Sequence, residues 1–181
     1  MPTPFGHGLA GIAAGWSVAG PIRGDRRAAF VQSAIFAALG AGADLDLLIG
    51  RHSGETHSLG AAAIVAALAA WRRWPIASTR AVIFLAAFAA WATHPLLDSL
   101  APDYSAPFGV MAFWPLSHQY FISGLSVFMP IWRSPGNLKA VTHDVVAVAR
   151  EIAILLPIVY ATWKVKARSW SRVDQALGAR H

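Results

Sequence analysis

Long apolar segments, broken by short turns that carry much of the charge, dominate this sequence of 181 residues. Hydrophobic residues make up 56% of the chain and charged residues only 13%, whereas a soluble domain typically carries about 25% charged residues. The segment at 79–99 comes closest to the roughly 20 apolar residues that a helix needs to cross a bilayer. This composition predicts an all-α, membrane-associated helical bundle.

Proline and glycine mark the turns between six predicted helices, all within a single domain at 1–181. Pro21 and Gly24 mark one turn, Pro75 ends a helix, and Pro135-Gly136 marks a further turn. The expected helices cover residues 6–20, 26–42, 56–74, 79–99, 117–132 and 138–166. An irregular stretch rich in proline, glycine and aromatic residues fills 100–116, and a basic tail occupies about 164–181.

Basic residues give the chain a net charge of +6 but form short groups between the apolar runs, such as Arg26-Arg27 and Arg72-Arg73. This spacing is typical of anchors at the headgroup level of a membrane, so we expect lipids as partners and no nucleic acid. The arginines in the turns predict that the end of the bundle that carries them faces the cytoplasm, so that the other end lies outside it. The basic tail predicts the reverse orientation. The absence of cysteine excludes disulfides and thiolate ligands.

Histidines and aspartates occur at the segment ends that an up-and-down bundle brings together. Helices joined by short connections run antiparallel, so seven side chains are expected to gather at one end and most arginines at the other. His94 and Asp98 lie four residues apart and therefore share a helix face. The seven residues are His7, Asp44, Asp46, His57, His94, Asp98 and His118.

This cluster of imidazoles and carboxylates favours a divalent metal site. Carboxylates repel each other, and ionisable groups near lipid are costly without a compensating cation. Imidazole and carboxylate ligands without thiolate predict zinc, with manganese or iron as alternatives. Seven groups suffice for one or two ions, and an open position on an ion would activate water.

Several short motifs, taken together, resemble those of a known family over about residues 5–120. They are His7-Gly-Leu, Asp44-Leu-Asp46 followed by Arg51, Thr56-His57-Ser58, and His94-Pro-Leu-Leu-Asp98. The set resembles the YdjM-like family of LexA-binding, inner-membrane-associated metal-dependent hydrolases. More distantly, it is similar to helical zinc-dependent phospholipases C, although Ile122 stands where their closing H-x-x-x-E pair has its glutamate.

The resemblance implies a location in the bacterial inner (cytoplasmic) membrane and hydrolysis at a metal site. The ligands it implies are His7, Asp44, His57, His94, Asp98 and His118. LexA binding is not carried over to this chain.

The sequence thus predicts a metal-dependent hydrolase that acts on a small-molecule or lipid phosphoester. Asp44 and Asp46 are the expected catalytic carboxylates, at least one as a ligand and the other as a general base or as support for a ligand. Arg51 would hold the phosphate oxygens or anchor in the headgroups. Two alternatives stay open: a non-catalytic protein that binds or transports metal, and a regulatory anchor for an unknown protein partner.

Overall fold

The computed structural model describes residues 1–49, 53–104, 106–132, 134 and 136–178, which form a helical bundle. Two 3₁₀ helices, Gly42–Ile49 and Glu55–His57, lie between the second and third α-helices. The α-helices are α1 Pro4–Ala19, α2 Arg26–Ala41, α3 Leu59–Trp71, α4 Arg80–Ser99 and α5 Leu138–Gly178. α1 packs against α4 at the centre, α2 contacts both, α3 packs on α4, and α5 packs on α1.

Capping residues explain where the first four α-helices begin. In each case a side-chain oxygen just before the helix accepts a hydrogen bond from a backbone amide of the first turn, which would otherwise lack a partner. The capping residues are Thr3, Asp25, Ser58 and Thr79.

Glycines allow α1 and α2 to approach each other at backbone distance. A Cβ atom on Gly11 would lie 2.3 Å from the carbonyl oxygen of Phe36, and one on Gly40 would lie 2.2 Å from the carbonyl oxygen of His7. Neither position has room for a side chain, as in the small-residue contacts between membrane helices. The contact brings the end of α2 beside the first turns of α1.

Buried Gln32 fastens two turns to α2 at the opposite end of the bundle. Its Nε2 donates hydrogen bonds to the carbonyl oxygens of Gly20, at 2.9 Å, and Ile76, at 2.8 Å. Its Oε1 accepts a hydrogen bond of 3.0 Å from the amide of Ile22. The α1–α2 and α3–α4 connections, both of which carry arginines, are therefore held together at this end.

Within the described residues, three helices are long and apolar enough to cross a membrane: Arg26–Leu48, Arg80–Ser99 and Leu138–Arg168. The first of these combines α2 with the 3₁₀ helix that follows it. α3 is apolar but shorter, with 13 residues. These lengths agree with a membrane protein in which shorter helices pack against the spanning ones.

The prediction of six helices is wrong, because residues 117–132 form no helix. Gly124 adopts a positive φ of 74°, and Pro130 has no amide hydrogen for a helical bond. Instead, Val110 and Phe121 pair in an antiparallel bridge, and the amide of Val127 donates to the carbonyl of Leu100. The apolar side chain of Phe128 is nevertheless buried in a core cluster with residues of α1, α4 and α5.

Candidate metal centre

Five histidine and aspartate side chains from four helices of the bundle meet at one end. α1 contributes His7, the 3₁₀ helix after α2 contributes Asp44, the next 3₁₀ helix contributes His57, and α4 contributes His94 and Asp98. Two groups could each hold a metal ion, His7 with Asp44 and His94, and His57 with His94 and Asp98. Within each group the ligating atoms lie within 4.8 Å of one another, and His94 belongs to both.

Four distances between ligating atoms of these residues suit a shared ion. His94 Nε2 lies 3.5 Å from Asp44 Oδ1 and 3.3 Å from Asp98 Oδ2. His57 Nε2 lies 3.7 Å from each of the same two oxygens. Ligands about 2.1 Å from a tetrahedral zinc ion lie about 3.4 Å apart, so each of these four pairs has the spacing of two ligands on one ion.

His7 stands beside this quartet, on the other oxygen of Asp98. Its Nε2 lies 3.3 Å from Asp98 Oδ1, and its ring stacks on that of His94 with the centroids 3.7 Å apart and the planes at 9°. Asp98 therefore faces His57 and His94 with one oxygen and His7 with the other. This arrangement supplies donors on both sides of one carboxylate.

A backbone contact orients His94. Its Nδ1 lies 2.7 Å from the carbonyl oxygen of Gly40, and because a carbonyl only accepts, Nδ1 carries the hydrogen. In the neutral ring Nε2 is then the nitrogen with a free electron pair, and it faces the two carboxylates. A metal-ligating histidine is commonly fixed in this way by the hydrogen bond of its other nitrogen.

Asp46 and Thr56 both contact His57 at Nδ1 of its ring. Asp46 Oδ2 lies 3.3 Å from His57 Nδ1 and accepts a hydrogen bond of 2.6 Å from the hydroxyl of Thr56. Asp46 thus lies on the side of the imidazole away from the other four residues and belongs to neither of the two groups. A carboxylate in this place sets the ring orientation and increases the basicity of the ligating nitrogen.

Burial tests whether a cation fits these residues. The side chains of His57 and His94 are 0% exposed and those of His7 and Asp98 are 1% exposed. Within the described part of the chain, both nitrogens of His7, Nε2 of His94 and both oxygens of Asp98 make no hydrogen bond of good geometry. Buried polar atoms without partners are costly, and a divalent cation would satisfy them together, so the donor set fits a metal ion.

Comparison with known proteins agrees with the membrane character of the helices. The model of the family described as YdjM inner membrane protein matches residues 1–171. The chain belongs to this family. It is accordingly an inner membrane protein, which confirms the resemblance and the location predicted from the sequence. No curated protein and no solved structure matches the chain, and nothing here supports the more distant likeness to zinc-dependent phospholipases C.

Burial also keeps the His7 imidazole of this YdjM family member in its neutral form. Burial lowers the pKa of its imidazole from the ordinary value of 6.5, and the neighbouring His94 lowers it further, whereas Asp98 acts in the opposite direction. Imidazole must be neutral to ligate a metal. His7 therefore stays in its ligating form at neutral pH.

Of two further residues predicted to belong to the site, His118 is not found there and Arg51 cannot be placed. His118 is exposed, in the stretch that forms no helix, and belongs to neither metal-binding group. Arg51 lies outside the described residues, so its role in this YdjM protein stays a prediction. The roles of Asp44 and Asp46 as catalytic carboxylates likewise stay predictions, although Asp44 lies within the cluster.

Sequence reasoning missed Glu151, a fully buried carboxylate on α5. It accepts a hydrogen bond of 2.9 Å from the amide of Thr3, one turn before His7. The signal in the sequence was an acidic residue followed by twelve uncharged residues, Ile152 to Trp163. An isolated carboxylate in such an apolar segment is expensive and usually has a specific partner.

Proposed function

We propose that this protein is a membrane-embedded, metal-dependent hydrolase that cleaves phosphoesters. The observation that carries the proposal is the quartet of His57, His94, Asp44 and Asp98, in which each imidazole nitrogen lies 3.3–3.7 Å from an oxygen of each carboxylate. Imidazole and carboxylate donors suit zinc, manganese or iron. When bound, such an ion polarises a phosphoryl oxygen and lowers the pKa of water.

The difference in exposure among the ligands indicates the side from which substrate would arrive. The Asp44 side chain is 13% exposed, whereas those of His57, His94 and Asp98 are at most 1% exposed. Water and substrate would reach the centre past Asp44. We therefore assign two roles to Asp44: it would help to hold the ion and would accept a proton from the water that attacks the phosphoester, while Asp46 keeps His57 in place.

Exposed leucines beside Asp44 support a substrate with a lipid part. Leu45 is 67% exposed, Leu47 40% and Leu48 82%. Contiguous exposed apolar side chains usually contact a membrane, a ligand or another protein. In an inner membrane protein they would face acyl chains, so a lipid-linked phosphoester would present its head to the centre. Arg51, close by in sequence, is proposed to hold the phosphate oxygens.

The deep burial of the cluster also supports a second function, a regulatory anchor with a structural ion. Structural sites are usually closed by protein ligands, whereas catalytic sites keep a position open. Metal transport has weaker support, because His94 and Asp98 lie in the last turns of α4 rather than midway along a span. The regulatory anchor would instead bind another protein, whose identity the sequence does not indicate.

Metal analysis of the detergent-purified protein tests the proposal. The wild type and the His118→Ala variant are expected to carry one or two equivalents of zinc, manganese or iron. The variant with both His94→Ala and Asp98→Ala is expected to carry none while keeping its helical circular dichroism. A wild type without metal after growth in metal-replete medium would refute the metal site.

Turnover separates the hydrolase from the anchor. The metal-loaded wild type is expected to hydrolyse bis(p-nitrophenyl) phosphate or a phospholipid in mixed micelles, and Asp44→Asn is expected to lose this activity. Stoichiometric metal without turnover on either substrate, and without an exchangeable water ligand, would favour the regulatory anchor.

A further inference from the structure

Glu151 connects the last helix of the bundle to the first. Its carboxylate is 0% exposed, although it sits in the apolar helix α5. Oε1 accepts a hydrogen bond of 2.9 Å from the amide of Thr3, and Oε2 accepts one from the Thr3 hydroxyl. Both oxygens of a carboxylate from α5 are thus committed to the residue that precedes α1.

Thr3 transmits this contact to the first turn of α1. Its hydroxyl oxygen accepts a hydrogen bond of 3.1 Å from the amide of Gly6, and its carbonyl oxygen accepts one of 3.0 Å from the amide of His7. The negative charge of Glu151 near the amino end of the helix is favourable to the helix dipole. The backbone of His7 is therefore fastened to Glu151 through a single intervening residue.

The packing around Glu151 restricts how α5 can lie against α1. A Cβ atom on Gly6 would lie 2.6 Å from Glu151 Oε2, so α1 approaches the carboxylate as closely as a glycine permits. One turn further along both helices, Leu155 and Ala10 belong to the same buried core cluster. The packing of α5 along α1 thus includes the contact of Glu151 and this shared cluster.

We propose that Glu151 is a positioning residue of the metal centre, which fixes the first turn of α1 through Thr3 and so holds the His7 imidazole against Asp98 and His94. The proposal rests on the proposed metal site. It explains why a carboxylate lies in an apolar helix, where its burial is costly. It also gives α5 a part in a cluster to which its described residues contribute no ligand.

A double-mutant cycle on metal affinity tests this role. Metal-stripped wild type, Glu151→Ala, His7→Ala and the double variant are titrated with Co²⁺ in detergent, with the visible absorption of the bound ion as readout. Glu151→Ala is expected to weaken binding about 10-fold or more, as removal of residues that orient metal ligands does. In the His7→Ala background the same substitution is expected to cause no further loss.

Two further variants keep the test decisive if Glu151→Ala folds poorly. Glu151→Gln keeps the size and one acceptor oxygen and is expected to recover most of the affinity. Gly6→Ala is expected to displace the carboxylate and weaken binding, whereas Gly8→Ala is the matched control, because its Cβ would lie at an ordinary 3.5 Å from that of Ala37.

Different results would overturn the two proposals. Wild-type affinity in both Glu151→Ala and Gly6→Ala, or an equal loss with and without His7, would refute the positioning role while leaving the metal site intact. No Co²⁺ spectrum in the wild type would instead refute the metal site itself, and the role of Glu151 with it.

Discussion

His94 and Gly40 are joined by a hydrogen bond of 2.7 Å from Nδ1 to the backbone carbonyl oxygen, so the last turn of α2 decides which nitrogen of His94 faces the carboxylates. Gly40 also permits the close approach of α1, since a Cβ atom there would lie 2.2 Å from the carbonyl oxygen of His7. One glycine therefore positions two of the five clustered residues. The geometry of the centre depends on helix packing as much as on its own side chains.

Replacing Gly40 with alanine is expected to damage both the fold and the metal site. The added methyl group cannot be accommodated without separating α1 from α2, which would shift His7 and the carbonyl that orients His94. We expect a lower unfolding temperature and a metal affinity reduced about 10-fold or more. Thermal unfolding and metal titration measure the two effects, with Gly8→Ala as the control. An unchanged affinity in Gly40→Ala would contradict the proposed link between packing and site.

Replacing Asp46 with alanine is expected to weaken metal binding without abolishing it. Asp46 contacts His57 Nδ1 at 3.3 Å and is not among the clustered ligands, so the loss should come from a poorly oriented imidazole. An affinity about 10–100-fold lower is typical of such changes, with the same stoichiometry at saturation. Asp103→Ala, in the irregular segment, serves as the control. Loss of all metal at saturation would show that Asp46 is itself a ligand.

Replacing Gln32 with leucine is expected to destabilise the bundle while leaving the metal site unaffected. The substitution removes the partners of two carbonyl oxygens and one amide that Gln32 now joins. Each unsatisfied buried group costs about 1–3 kcal/mol, so the free energy of unfolding should fall by more than about 2 kcal/mol.

Denaturant unfolding in detergent measures the effect of Gln32→Leu, and Ser33→Ala on the same helix is the matched control. The Ser33 hydroxyl donates a hydrogen bond to the carbonyl of Ala29 on its own helix. The free energy of unfolding of Ser33→Ala should therefore change by no more than about 0.5 kcal/mol. A comparable loss in both variants would mean that Gln32 does not hold the two turns.

The gathering of His7, Asp44, His57, His94 and Asp98 could be predicted from the sequence because short connections force neighbouring helices to run antiparallel. Residues at alternate segment ends then meet without any knowledge of side-chain geometry. The different positions of Asp44, within the cluster, and Asp46, beside His57, could not be predicted. Side chains two residues apart point the same way in an extended chain but not in a helix, and the sequence does not show that this segment is a 3₁₀ helix.

His118 and Glu151 show where such reasoning fails. The sequence predicts a helix over 117–132, but buried side chains there, such as Phe128, reach the core from an irregular backbone. The hydrogen-bond partner of Glu151, Thr3, lies 148 residues away in sequence, and no local sequence pattern predicts which residue that partner is. Its role is visible only once α5 is packed on α1.

Acidification is expected to destabilise the metal-free protein through His7. Burial lowers the pKa of this imidazole from 6.5, so as pH falls through that value the unfolded chain takes up a proton that the folded chain does not. The contribution of His7 to stability is thus present above about pH 6.5 and falls as the pH decreases, by at most about 1.4 kcal/mol per pH unit.

Unfolding temperatures in EDTA at pH 7.5 and 5.5 test this expectation. The wild type should lose more stability on acidification than His7→Gln, because the variant lacks the imidazole that takes up a proton only in the unfolded chain. Equal losses in the two proteins would mean that His7 is protonated in the folded state without a metal. Its imidazole would then bind an ion only by releasing a proton, and metal affinity would fall steeply below neutral pH.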